Sequence, residues 1–248
     1  MVKALSNREG KFGEDLAVLV SRLTVGMDEV NGRKLLKLRD DLLGLQRLNV
    51  VKINHSVMEL VCAKHLILKG YEVELEHTLN AVLVCDLFST KGYGDLIVEI
   101  ETGYIPPEHA MDPMEYTTAR LASKIIRYSG FAGKFSIGVP PHYILPLPQS
   151  LVIPPRRRVS QNIESVKALV DKYYQSPPVT LEEIANARIQ EIQIIDVDHL
   201  AVVEMDPETY MKRVLRKGIF LSEKSVGGSD GSLTKQLRDD EKLDFYIY

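Results

Sequence analysis

Residues 81–101 read AVLVCDLFSTKGYGDLIVEIE, and the fold turns on this stretch. Ala81–Phe88 is mostly apolar and reads as a strand buried on both faces. Ser89–Gly94 (STKGYG) is turn chemistry. Asp95–Glu101 (DLIVEIE) is the next strand. Upstream, Tyr71–His77 (YEVELEH) alternates apolar residues with Glu, the pattern of a half-buried strand. Before it, Asn54 or Ser56 caps a helix that runs to about Lys69 and stops at Gly70. Downstream, Asp112-Pro113 opens a helix that ends near Ser129-Gly130. Lys134–Val139 (KFSIGV) is a fourth strand. Residues 54–139 therefore spell helix–strand–strand–strand–helix–strand. The expected class is α/β, a mixed central sheet flanked by helices.

The rest of the chain is expected to decorate this core. Residues 12–25 and 28–48 read as two helices, and 49–53 (NVVKI) as a short apolar run of uncertain type. The second helix interleaves Leu35, Leu36, Leu38, Leu42, Leu43 and Leu45 with charges; a helix of this kind usually buries against something, so it is expected to serve a homodimer or a partner. From Pro140 on, Pro140, Pro141, Pro146, Pro148, Pro154 and Pro155 mark an extended, irregular crossing. Residues 160–175, 180–190 and 207–217 look helical. Ile192–Val197 and Leu200–Met205 look like a strand pair. Gly227–Ser232 is linker chemistry. The reading divides the chain into a helical extension (1–53), the core (54–139) and a C-terminal α+β extension packing on it (140–248), with a mobile tail after about residue 225.

Composition excludes several classes. The apolar runs fall far short of about 18–20 residues, so no membrane span is expected. Residues 1–15 have no apolar leader core, which points to the cytoplasm. Cys62 and Cys85 are the two cysteines, both in apolar context, which excludes a disulfide scaffold and a four-cysteine zinc site. Net charge is −3, so the whole chain is no polycation. The average hides a split. Glu59–Glu115 holds eleven acids and three bases, whereas Tyr116–Arg158 holds seven bases and no acid. An acidic half beside a basic half suits metal ions next to a polyanion, or two solvated faces.

Three carboxylate positions stand out. Glu59 lies within Val57–Ala63, an apolar run; it either faces water or needs a partner in the interior. Asp86 interrupts a strand, where Asp fits poorly unless it sits at the strand end. Glu99 and Glu101 share one strand face with Ile97, while Leu96, Val98 and Ile100 fill the other. If the two strands pair, Asp86 faces Glu99 with Cβ atoms roughly 5 Å apart. Three such carboxylates either form a polar sheet face or hold a hard cation, Mg²⁺ or Mn²⁺ rather than zinc. Asp95 sits too close to Glu99 in sequence to occupy the neighbouring strand. His55 lies one helical turn before Glu59, so both can face the same side, although a His there is more often part of the helix cap. No Walker-type phosphate loop or Gly-x-Ser-x-Gly elbow occurs.

A helical Glu (Glu59), then Cys85-Asp86, twelve residues, Glu99-Ile100-Glu101 and a helix with a basic residue (Met114–Ser129) resembles the restriction-endonuclease-like nucleases, the PD-(D/E)xK superfamily, over roughly residues 54–139. Glu101 stands where that family usually has Lys, as in its Glu-x-Glu members. Lys124 and Tyr128, spaced i, i+4, resemble a helix motif of some members, with Lys in place of Gln. The resemblance implies a metal-dependent nuclease acting on DNA. Asp86, Glu99 and Glu59 would serve the metal, with the Ile100 carbonyl alongside. Glu101 or Lys124 would orient or deprotonate the attacking water. Arg120, Arg127, Lys134, Arg156, Arg157 and Arg158 would contact backbone phosphates. The alternative on the same fold is a protein that binds or assembles on nucleic acid without cutting it.

Overall fold

The computed structural model describes residues 2–47 and 53–216. The expected mobile tail, the Gly227–Ser232 stretch and most of the 49–53 run lie outside the described residues. The chain is α/β. Six strands, β1 (Glu72–Thr78), β2 (Val84–Lys91), β3 (Gly94–Ile100), β4 (Lys134–Val139), β5 (Glu191–Asp196) and β6 (Ala201–Met205), lie in chain order across one sheet. β1–β2–β3 form an antiparallel meander. β4 runs parallel to β3, and β5 parallel to β4. β6 returns antiparallel.

Parallel neighbours need a crossover, and helices supply both. α4 (Pro113–Tyr128) joins β3 to β4. α5 (Gln149–Val152), α6 (Ser160–Asp171) and α7 (Leu181–Asn186) join β4 to β5. Leu121, Ala122, Ile125, Val166, Val170 and Ile184 cover Ile97, Phe135, Ile137, Val139 and Ile192 on one sheet face. On the other face α1 (Val2–Leu23), α2 (Glu29–Arg47) and α3 (Ile53–Leu68) cover Leu87, Leu96, Val98, Ile100 and Ile195. Three layers result, with the sheet in the middle. Gly138 sits where the second face is tightest. A Cβ there would lie 2.6 Å from Ile195 Cδ1 and 2.8 Å from Ile100 Cδ1.

The leucine stripe of α2 is absorbed by the chain itself. Leu35, Leu38 and Leu42 bury against Phe12, Leu16 and Leu19 of α1 and Leu60 and Leu66 of α3. That burial removes the sequence-level reason for a homodimer through this helix. The 140–216 segment also contributes more than decoration, since β5 and β6 extend the sheet itself. α8 (Pro207–Arg216) closes the described chain. No helix among the described residues is long and apolar enough to cross a membrane.

Two expectations need correction around β2. The strand begins at Val84 rather than Ala81, because Asn80 Oδ1 accepts the N–H groups of Val82 and Leu83 and turns the backbone there. Val82 and Val84 are accordingly exposed. At the far end, Ser89, Thr90 and Lys91 stay in the strand, and Lys91 pairs with Gly94. Only Gly92-Tyr93 makes the turn, with Gly92 at φ +60°. The result is a two-residue hairpin, shorter than the composition of STKGYG suggests.

Candidate active site

The β2–β3 ladder runs from Lys91–Gly94 to Leu87–Val98 and stops. One step further, the register sets Asp86 opposite Glu99. There the side chains replace the missing backbone bonds. Glu99 Oε1 accepts the Asp86 N–H at 3.1 Å, and Asp86 Oδ2 accepts the Ile100 N–H at 2.5 Å. The strand end thus carries two carboxylates locked across the gap. β3 continues along β4, with Glu101 N–H donating to the Gly138 carbonyl at 2.8 Å.

α4 lies over this end and brings two cations one turn apart. Lys124 Nζ is 3.1 Å from Glu99 Oε2, 2.8 Å from Glu101 Oε1 and 3.5 Å from the Ile100 carbonyl. Arg120 Nη2 is 3.0 Å from Glu101 Oε2, and its Nη1 donates to the Tyr104 carbonyl at 2.6 Å. Tyr128 OH donates to the Val84 carbonyl at 3.1 Å and ties α4 to the start of β2. Lys124 therefore reaches Glu99 and Glu101.

α3 approaches from the other layer. Glu59 is fully buried, with a relative exposure of 0%. Neither of its carboxylate oxygens has a hydrogen-bond partner. The solvent-facing alternative for Glu59 is thereby excluded. His55, one turn earlier, places Nδ1 at 3.8 Å from Asp86 Oδ1, too long for a hydrogen bond. His55, Glu59 and Asp86 each offer a ligand atom within 4.8 Å of the others.

The electrostatics separate Glu59, Asp86 and Glu99. Burial, then the charges of Asp86, Glu76 and Glu99, push Glu59 well above the usual carboxylate range. Burial alone would raise Asp86, but His55, the charge on Lys124 and the Ile100 N–H outweigh it, and Asp86 stays low. Burial dominates at Glu99 and lifts it to about 8 despite Lys124. Burial opposes the charge on Lys124, yet Glu99, Glu101 and Asp86 hold its ammonium well above the ordinary lysine value.

Two carboxylates and one imidazole nitrogen make a donor set for a divalent cation, which departs from the all-carboxylate set expected from the sequence. A buried carboxylate with two unpartnered oxygens is costly, and a second, ionised carboxylate stands beside it. The grouping differs from the expected Asp86, Glu99 and Glu59. Glu99 has both oxygens engaged, one by the Asp86 N–H and one by Lys124, so His55 takes its place in the cluster. The i, i+4 spacing of His55 and Glu59 was the signal for this. Glu101 is likewise held, between Lys124 and Arg120, rather than poised over a water.

Half of the expected basic wall is spent inside the protein. Arg120 belongs to the Glu101 ion pair and stacks over the Tyr116 ring at 5.5 Å. Arg127 donates to Ser123 Oγ at 3.0 Å and to the Pro177 carbonyl at 2.5 Å. Arg158 donates to the carbonyls of Leu151, Ile153, Ile184 and Ala185, a staple between α5 and α7. Lys134 starts β4 beside Leu96, at the sheet end away from Glu99, and lines a cleft with Lys69, Glu191 and Glu204. Arg156 and Arg157 alone of the six keep the expected exposure together with proximity to one another, on a short turn at Pro155–Arg157.

One residue at the site carried no sequence signal. Glu76 sits in β1 at φ +49°, a left-handed backbone that non-glycine residues rarely adopt. Its neighbours Leu75 and His77 pair with Leu87 and Cys85, so Glu76 lies level with Asp86.

No family model, curated protein or solved structure matches this chain.

Proposed function

We propose that the chain is a metal-dependent nuclease hydrolysing phosphodiester bonds in DNA. The observation that carries the reading is Glu59: a carboxylate sealed in the interior, without a hydrogen-bond partner, against the ionised Asp86. An interior acid pair of this kind is stable when a cation shares it. Asp86 and Glu59, with His55 beside them, would hold Mg²⁺ or Mn²⁺. Such an ion supplies charge neutralisation at a phosphate and acidification of water.

The chain's own groups do the remaining work. The Ile100 N–H fixes Asp86 Oδ2 and leaves Oδ1 toward Glu59 and His55. The Asp86 N–H and Lys124 fix Glu99. Lys124 is the cation nearest the carboxylates, and its ammonium offsets their repulsion of an incoming phosphate. Arg156 and Arg157 are exposed for backbone contacts that position DNA without reading its sequence. Cys62 and Cys85 are buried free thiols, in keeping with a reducing cytoplasmic setting.

The engagement of Glu101 by both Lys124 and Arg120 favours a second reading, a nucleic-acid-binding protein on a nuclease-like site that no longer cuts. One experiment separates them. Plasmid and branched DNA are incubated with the protein and Mg²⁺ or Mn²⁺, beside an Asp86→Asn variant. Cleavage that needs the ion and is lost in the variant supports the nuclease. Binding without cleavage supports the second reading.

A further inference from the structure

The four acids of the site are not equivalent in their partners. Glu99 and Glu101 converge on Lys124, whose Nζ has three oxygens around it at 2.8, 3.1 and 3.5 Å. Two are carboxylate oxygens and the third is a backbone carbonyl, the kind of donors a hard cation takes. Arg120 covers the remaining oxygen of Glu101. Glu59 and Asp86 are different. Glu59 has no partner, and the ion pair of Asp86 is the long contact to His55. The acids therefore divide into one pair neutralised by side chains of α4 and one pair that lacks a lysine or arginine.

We propose that the ammonium of Lys124 is a tethered cation occupying what would otherwise be a second metal position, so that the protein binds one divalent ion. This rests on the reading of the site as cation-dependent, and adds its stoichiometry. Adjacent acid pairs bridged by carboxylates can hold two ions about 3.5–4 Å apart. Here Glu99 Oε2 and Glu101 Oε1 are already bridged by a fixed positive charge on a helix. Removing that charge leaves two carboxylates and a carbonyl facing one another, a second oxygen site. Exchanging Lys124 for Arg keeps the charge and keeps the second site closed.

The test is a count of bound Mn²⁺ on the full chain without DNA, by calorimetric titration and by electron paramagnetic resonance. The wild type and Lys124→Arg are expected to bind one ion and give the spectrum of isolated Mn²⁺. Lys124→Met is expected to bind two, with the broadened signal of a coupled pair. A Lys124→Met, Glu101→Gln double variant returns to one ion, because it loses an acid together with the lysine. Two ions in the wild type would overturn the proposal while leaving the nuclease reading intact, and so would a single ion in folded Lys124→Met. No ion in the wild type would overturn both. Should Lys124→Met not fold, Lys124→Gln, which removes the charge but keeps a polar side chain beside Glu101, carries the same count: two ions are expected, and one ion would overturn the proposal.

Discussion

Glu99 Oε2 lies 3.1 Å from Lys124 Nζ, while Glu99 Oε1 accepts the backbone N–H of Asp86. One side chain thus links α4 to the frayed end of the β2–β3 ladder. It also withdraws Glu99 from the group formed by His55, Glu59 and Asp86. Consequences for activity and stability follow from that division of labour.

Asp86→Asn removes the ionised member of the cation pair and keeps its shape. Metal-dependent cleavage of DNA is expected to fall by roughly a thousandfold, the equivalent of about 4 kcal/mol of transition-state stabilisation. Circular dichroism and melting should stay near wild type, because Asn retains an oxygen for the Ile100 N–H. Rates and melting curves measured on the same preparation check this.

Glu59→Gln removes the interior acid, and with it the cost of holding a proton that the unfolded chain releases. Without metal, the variant is expected to melt a few degrees above wild type at pH 8, corresponding to about 1–2 kcal/mol. With Mg²⁺ the order reverses, since wild type gains binding energy that the variant lacks. Scanning calorimetry with and without the ion reads both signs.

The pH dependence follows from Glu99 and Glu59. Both are raised when folded, Glu99 from about 4.5 to about 8. The folded state therefore holds protons that the unfolded state releases, and the stabilisation is fully present below about pH 4.5. It fades as pH rises toward 8. Asp86 is lowered, so its contribution is lost in the opposite direction, as acid is added below the ordinary Asp value. Metal-free protein is thus expected to lose stability between pH 5 and 8. Divalent ions should restore it, with affinity increasing over the same window. Denaturant melts at stepped pH, with chelator or Mg²⁺, test the slope.

The arginine triplet should split in two. Arg158→Ala strips donors from four carbonyls and is expected to cost about 2–4 kcal/mol of stability. An Arg156→Ala, Arg157→Ala double variant should leave stability within about 0.5 kcal/mol. It should weaken DNA binding and reduce the salt slope by about two. Urea denaturation and filter binding at several salt concentrations separate the roles.

What the sequence reveals follows physical range. The facing of Asp86 and Glu99 is legible only as a condition on the two strands pairing, because reading all of STKGYG as turn leaves the register open; the two-residue turn at Gly92-Tyr93 fixes it. Lys124 and Tyr128 on one helix face are legible because helical spacing is local. The fates of Arg120 and Arg158 are not, because their partners are carbonyls and a carboxylate brought in by tertiary packing. The exposed appearance of an arginine in a sequence says nothing about a carbonyl cluster folding around it. His55 illustrates a different failure. Its spacing to Glu59 was visible, but only the departure of Glu99 toward Lys124 opens a place for it. Glu76 read only as one more Glu of the alternating Tyr71–His77 strand, and its place level with Asp86 comes from strand pairing.

A cation held between Glu59 and Asp86 is the central element of the proposed site. Crystals soaked in Mn²⁺ and measured at its absorption edge test this directly. The predicted result is an anomalous peak about 2.1–2.2 Å from an oxygen of each residue, absent from Asp86→Asn crystals. A map without a peak there, at saturating Mn²⁺, with Glu59 still buried and unpartnered, would contradict it.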